Sequence, residues 1–379
     1  MLFRSVTITS PGAGGSPINI PVTLNVVAAQ TFTASPTTLS FSYTVGTTAP
    51  AAQSFQISSN GSASFSVTTP TSASWLQVSP TSGSTPATLS VSINTQGLAA
   101  GNYTAAITIN SPSSTTAAAA SVTVNLTVTQ ITVTPVTITN AASYGAGAVS
   151  PGENIVLFGT SIGPPTLTYG TLSASGTLLN TSAGNTRVLF DGVEAPVVYA
   201  SDKQTSVMVP YEVAGRPTTS VVVVYQGVQS APLLYTVIAA APGIYTQNYS
   251  GTGPGAIINQ DGVTGNGPGA LAAKGSVVSV YMTGEGQTSP AGTTGAIAPL
   301  NVPAPWKQPK LKATATIASL SAPVQYYGSA PGEISGVMQV NVQIPANAPS
   351  GALPIVITLT DPNSGLSYST QAQVTVSVQ

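Results

Sequence analysis

Gly159-Thr160-Ser161-Ile162-Gly163 fits G-x-S-x-G, the pattern in which a nucleophilic serine sits on a sharp strand-to-helix turn. That chemistry needs a base for the serine proton, and the 379 residues include no histidine. No helical pattern follows Gly163, so the motif reads as a turn after a strand. Paired carboxylates are the next possibility, since two of them about 5–10 Å apart in a cleft can hydrolyse a glycosidic bond. The 9 acidic residues are Glu153, Asp191, Glu194, Asp202, Glu212, Asp261, Glu285, Glu333 and Asp361. Most neighbour Gly or Pro, as in Asp191-Gly192 and Asp361-Pro362, and solvated turns account for them. Asn259-Gln260-Asp261-Gly262 offers one carboxylate among amides, where a calcium loop needs several converging oxygens, so it reads as a loop. With no Cys and no His, thiol chemistry and the usual zinc ligands are absent. The sequence therefore predicts no metal, no cofactor and no enzyme.

The remaining chemistry is aromatic. Lys307, Lys310 and Lys312 beside Trp306 form the basic cluster of the chain. Trp306, Tyr326 and Tyr327 are the candidate carbohydrate contacts, with the indole stacking on a sugar ring and the lysines suited to an anionic polysaccharide. The competing reading is a solvated hairpin loop with one partly buried ring. Tyr199 and Trp75 are further aromatic candidates. Trp75 leads an alternating strand, which predicts a core residue between two sheets. The Gly-rich segment 250–271 lacks the order of a phosphate-binding loop and reads as a surface loop between modules.

Strands must position these groups. Between residues 30 and 130, short alternating runs recur: TLSFSYTV (38–45), SFQISS (54–59), SFSVTT (64–69), WLQVS (75–79), TLSVSIN (88–94), YTAAITIN (103–110) and SVTVNLTV (121–128). Leu89, Val91 and Ile93 share one face of their strand, and Val122, Val124, Leu126 and Val128 share one face of theirs. A period of two with no sustained helical period predicts an all-β protein of sheet-on-sheet sandwiches. Asn60-Gly61 is expected to turn a hairpin.

Charge is scarce and uneven. The chain has 8 basic and 9 acidic residues, 4% charged in all, for a net charge of −1. Residues 5–152 carry no Asp, Glu, Lys, Arg or His, so Ser, Thr, Asn and Gln must keep that surface wet. Nucleic-acid binding, which needs clustered cations against phosphates, is not expected. No apolar run approaches the roughly 18 residues of a membrane span, and no signal peptide is visible.

Internal repeats divide the chain. VTITSP (6–11) matches ITINSP (107–112) and VTLNV (22–26) matches VTVNL (122–126), each about one sandwich domain apart, roughly 100 residues. Residues 1–29 thus read as the closing hairpin of a truncated preceding copy, and 30–130 as a complete copy. In the second half, PGENIVLFGTSIG (151–163) aligns with KGSVVSVYMTGEG (274–286), APVVY (195–199) with APVQY (322–326), and QTSVMVP (204–210) with QVNVQIP (339–345). Two further Ig-like sandwiches are expected, at 131–240 and 241–379, the second with the long Gly-rich loop.

WLQVSPTSG (75–83), TLSVSIN and GLAAGNYTAAITI (97–109) resemble the BACON domain, an Ig-like module of bacterial surface and secreted proteins. Residues 138–164, 241–262, 275–292 and 326–351 resemble the uncharacterised C-terminal domain family named after Solibacter, which ends long secreted proteins. These resemblances imply an exported chain, extracellular or at the cell surface, with its export signal upstream. They imply upstream domains of the same polypeptide as partners. The function expected is a non-enzymatic spacer or adhesion module, its tandem sandwiches arranged as an elongated rod. The alternative is a carbohydrate-binding module acting on extracellular polysaccharide.

Overall fold

The structure is a computed structural model that describes residues 2–24, 31–111, 120–300 and 306–379. The end of the expected strand at 22–27 and the boundary at 29/30 lie outside the described residues. The fold is all-β: the described residues contain no α-helix and one 3-10 turn, Tyr211–Val213. The chain forms two compact units, Met1–Gln130 and Ile131–Gln379.

In the first unit, one sheet runs Thr38–Thr44, Ala120–Thr129, Gly101–Asn110, Ser64–Thr68, Ser82–Ser84, and the other runs Phe32–Ser35, Gln53–Ser59, Ala87–Ile93, Leu76–Ser79. The apolar residues of each alternating strand meet between the sheets. Phe55, Ile57, Leu89, Val91, Ile107, Val122 and Val124 are all buried in one core. Trp75 is buried there as well, edge-on to Tyr103 with ring centroids 6.1 Å apart. Asn60-Gly61 does not turn a hairpin. The strands on either side of it, Gln53–Ser59 and Ser64–Thr68, belong to opposite sheets, and the turn carries the chain across the core.

Among the described residues, strands Leu2–Ile8 and Ile18–Leu24 pair only with each other, Val6 opposite Ile20 and Ile8 opposite Ile18. Directly opposed residues share a face, so Val6, Ile8, Ile18, Ile20, Val22 and Leu24 form one apolar surface, with Arg4 set within it. Val6 is 54% exposed and Ile20 47%, whereas Ile107 and Val122, which match the hairpin in sequence, are 0% exposed.

The second unit holds two sandwiches of one plan. The proximal one has a sheet ordered Thr134–Asn140, Asn154–Thr160, Gln204–Met208, Val197–Ala200, Thr168–Tyr169, facing a sheet built on Thr186–Phe190 and Thr218–Tyr225. The distal one has Gly243–Ile244, Val277–Thr283, Val337–Gln343, Val324–Ser329, facing a sheet built on Lys312–Ile317, Gly351–Thr360 and Val374–Val378. The repeated Ala-Pro-Val-x-Tyr carries the same irregularity in both: the register slips between Val197 and Tyr199, and between Val324 and Tyr326. The Gly-rich segment is not a surface loop between modules. Gly253–Pro254 joins one distal sheet and Ile257–Ile258 the other, because Ile257 supplies core surface and Asn266 bonds both backbone groups of Ser377.

Two hairpins occupy equivalent places in these sandwiches. One turns through Asp191-Gly192, both at positive φ, as a two-residue turn matched to strand twist requires. The other turns through Ala318 (φ 50°) and Ser319 (φ 65°), residues that pay a steric penalty there. Replacing them together, Ala318→Asn with Ser319→Gly, should raise the stability of the second unit by about 1 kcal/mol, read as a higher melting temperature. Native-state hydrogen exchange supplies a second check. Amides across Leu2–Ile8 and Ile18–Leu24 should exchange orders of magnitude faster than those of Gly101–Asn110 and Ala120–Thr129, because an uncovered two-stranded ribbon is marginal in water.

Candidate functional site

The expected aromatic contacts separate at the strand Val324–Ser329, where successive side chains point to opposite faces. Tyr326 faces outward and takes Trp306 edge-on, with centroids 5.4 Å apart and planes at 78°. Tyr327 turns inward and packs against the distal core. Trp306 is 43% exposed and Tyr326 is half-buried, its hydroxyl donating to the Ser329 carbonyl at 2.8 Å.

Together they line a groove of about 620 Å³, within the range of small-ligand sites. Pro290, Ile297, Pro299, Leu300 and Pro331 supply apolar walls, while Lys307, Gln339 and Asn341 supply the polar lining. Gln339 and Asn341 come from the strand Val337–Gln343, whose Met338, Val340 and Val342 are core. Gln339 Nε2 donates to Asn341 Oδ1 at 2.8 Å, and Ser279 Oγ donates to the same oxygen at 3.0 Å. Among the described residues, this leaves Gln339 Oε1 and Asn341 Nδ2 without protein partners. The sequence reading passed over both amides. Their signal was a polar pair alternating with buried apolar residues on a strand beside an aromatic hairpin.

The lysines do not converge. Lys307 lines this groove, Lys310 donates to Gln287 Oε1 at 3.0 Å beside a different cleft, and Lys312 starts an exposed strand position. Tyr199 lies in the proximal sandwich, half-buried and opposite Tyr169. Burial, with Tyr144 and Tyr169 nearby, pushes its phenol upward in pKa. Ser161 stands at φ 53° after the strand Asn154–Thr160, its N–H donating to Asp202 Oδ1, with no helix behind it. Asp261 spends its oxygens on Val263 N–H, Thr264 N–H and the Thr264 hydroxyl, closing a turn. Among the described residues, no three Asp or Glu side chains gather as a metal site.

Two carboxylates depart from the solvated turns expected of them. Glu153 is 1% exposed and Glu285 0%, and both lie where the proximal and distal sandwiches meet. Glu153 accepts from Asn140 Nδ2 at 2.9 Å and Ser150 N–H at 2.8 Å, and the same Asn140 amide donates to the Ala241 carbonyl. Glu285 Oε1 accepts the Tyr211 hydroxyl, which reaches across from the other sandwich, while among the described residues Glu285 Oε2 is buried with no well-aligned donor, the Gly336 backbone lying nearby. Around them, Asn154 N–H donates to Thr283 Oγ1 at 2.8 Å and Thr283 Oγ1 donates to the Gly336 carbonyl at 2.9 Å. The backbones close to a separation that side chains would prevent. A Cβ on Gly284 would overlap the Ala241 carbonyl, and one on Gly336 would overlap the Gly152 carbonyl. The glycines that made these carboxylates look like turn residues are what let the backbone close over them.

Removal from water dominates the protonation of both groups. Burial raises Glu153 to about 8, against opposing bonds from Ser150 and Asn140. Burial raises Glu285 to about 7, against Tyr211 and the nearby charge of Lys307. By contrast Asp191 and Glu194, paired with Arg216 and Arg187 at the surface, are held below their ordinary values, Asp191 chiefly by the Ser220 N–H and Glu194 chiefly by the Thr181 hydroxyl.

Comparison with known proteins places two domains. Residues 31–138 match the family model of the viral BACON domain, and residues 158–237 match that of the IPT/TIG domain. No curated protein matches the sequence. Among solved structures, a protein of unknown function from Porphyromonas gingivalis W83 is 14% identical, with 54% of this chain and 97% of that one covered and a TM-score of 0.23. The human desmocollin-1 ectodomain is 10% identical over 98% of this chain and 64% of its own, with a TM-score of 0.21. Superpositions this loose carry no argument about function. Among the described residues, no helix is long and apolar enough to cross a membrane.

The buried glutamates make stability pH-dependent. Their folded-state pKa values lie above those of the unfolded chain, so the folded unit holds protons that the unfolded chain has already released. The stabilisation is complete below the ordinary glutamate pKa and is lost as pH rises through about 7 and about 8. Each displaced pKa unit is worth about 1.4 kcal/mol. Calorimetry of the full chain should therefore show the transition of Ile131–Gln379 moving to lower temperature between about pH 5 and about pH 9. The transition of the first unit, whose ionisable side chains are Arg4 and tyrosines and whose α-amino group sits at the end of the uncovered hairpin, should move far less. Glu285→Gln, which mimics the protonated acid, should flatten the part of the slope that Glu285 contributes between its ordinary value of 4.5 and about 7.

Proposed function

We propose that this chain is a non-enzymatic structural and adhesion module of a secreted or cell-surface polypeptide. The observation that carries this reading is the lock between the proximal and distal sandwiches. Two of the scarce carboxylates, a tyrosine and several glycines are committed to holding one sandwich against the other. Side chains fixed in that way resist separation under load; they are not arranged around a substrate cleft. The Ig-like IPT/TIG domain at 158–237 supports a module that acts through its shape and surface. The resemblance of 131–379 to the Solibacter-type family supports a terminal place in an exported polypeptide. Upstream repeats are the natural partners of the apolar hairpin face, because in the complete copy the matching strands are covered by a second sheet.

Single-molecule extension of the full chain tests the reading. The second unit should unfold in one step, with a contour gain of about 0.35 nm for each residue of Ile131–Gln379. Tyr211→Phe, which leaves Glu285 buried without its donor at a cost of about 1–3 kcal/mol, should lower the force of that step. Two separate steps in the unaltered chain, one for each sandwich, would remove the lock and with it the structural argument.

A further inference from the structure

The groove at Trp306 is not used by the lock, and it is built differently from the rest of the surface. Most of this protein meets water through hydroxyl and amide groups on flat sheet faces. Here an indole 43% exposed stands against a phenol at one wall of a concave site, with an ammonium and two amides on the lining. We propose that this groove binds one chain of an acidic polysaccharide, a glycan whose rings carry carboxylate or sulfate groups.

Three features choose that ligand. A pyranose ring presents a face of C–H bonds that packs on an indole and a rim of hydroxyls that need both donors and acceptors. Trp306 offers the ring surface, and Asn341 Nδ2 and Gln339 Oε1 offer one donor and one acceptor side by side. The pair is held in place: Asn341 Oδ1 already accepts from both Ser279 and Gln339, so rotating either amide would forfeit those bonds. Fixed polar groups beside an aromatic wall favour a hydroxylated ligand over a purely apolar one.

The anionic character comes from Lys307. It is half-buried in the groove, and among the described residues no carboxylate forms an ion pair with it. Among the described residues, no Asp or Glu lines the groove. The nearby Glu285 is enclosed and bonded to Tyr211, and burial keeps it partly protonated near neutral pH, so it offsets the lysine weakly. A half-buried cation whose interacting carboxylate, Glu285, is enclosed and partly protonated still attracts an anionic group on the ligand. In a chain with so few cations, Lys307 is the one that the fold brings beside an exposed aromatic ring.

The test is affinity electrophoresis and titration calorimetry of the full chain. The probes are a hexamer of galacturonate, a sulfated galactan oligosaccharide, neutral cellohexaose and a decaproline peptide. Binding of either anionic glycan at least about tenfold tighter than cellohexaose, and weaker at higher salt, is the expected result. The two anionic arms distinguish carboxylate from sulfate as the group recognised. Trp306→Ala and Lys307→Met should each weaken that binding about tenfold while the melting temperature of the second unit, read near pH 5 where folded Glu285 is protonated, stays unchanged. If Trp306→Ala perturbs the fold, Lys307→Met together with the salt dependence decides alone. No binding of either anionic glycan, equal binding of cellohexaose, preference for decaproline, or affinity untouched by both substitutions would overturn the proposal. None of those results would bear on the lock between the sandwiches, which the extension experiment reads.

Discussion

The closeness of two backbones governs the second unit. Gly336 brings main chain against main chain between the proximal and distal sandwiches, Gly284 does the same beside it against Ala241, and the space left closes Tyr211 and two glutamates off from the surface. Everything else at that contact follows from that enclosure. The carboxyl groups hold on to protons, the tyrosine hydroxyl has one available partner, and Asn140 and Thr283 relay bonds from one sandwich to the other. A side chain as small as alanine at Gly336 would wedge the interface open, and the buried acids would then meet solvent and ionise.

The distribution of charge gives the two units different characters. Beyond Arg4 and the amino terminus, the first unit meets water through hydroxyl and amide groups, so salt and ordinary pH have little handle on its sandwich. The second has the ionisable groups, and it divides them between surface pairs such as Arg187–Glu194 and the enclosed acids. One polypeptide therefore joins an inert sandwich to a responsive pair.

Much of the fold was legible because period-two alternation carries it directly. Leu89, Val91 and Ile93, or Val122, Val124 and Leu126, announce their burial in the sequence, and they are buried. The duplicated Ala-Pro-Val-x-Tyr has a structural counterpart, a slip in register at the same place in both copies, which the sequence pattern did not announce. What local pattern could not show was which sheet a strand joins. Asn60-Gly61 has the composition of a hairpin turn, yet the strands it links belong to opposite sheets. The candidate site was half legible: composition drew attention to Trp306 and Tyr326 but could not separate Tyr327, which the pleat turns inward. It also missed Gln339 and Asn341, distant in sequence and brought beside Tyr326 only by strand pairing. The glutamates were misread because glycine neighbours signify both exposed turns and tight packing, and sequence does not distinguish the two.

The shared slip has a consequence for how such a surface can arise. In both sandwiches it sits one residue before an aromatic side chain, Tyr199 in one and Tyr326 in the other, each half-buried and facing out of its sheet. The kink is common to both copies, whereas what lies beside it is not: the strand Thr168–Tyr169 pairs with the first in the same sheet, and Trp306 stands edge-on to the second. One bend in the framework thus serves two ends, extending a sheet in one sandwich and seating a half-exposed ring in the other.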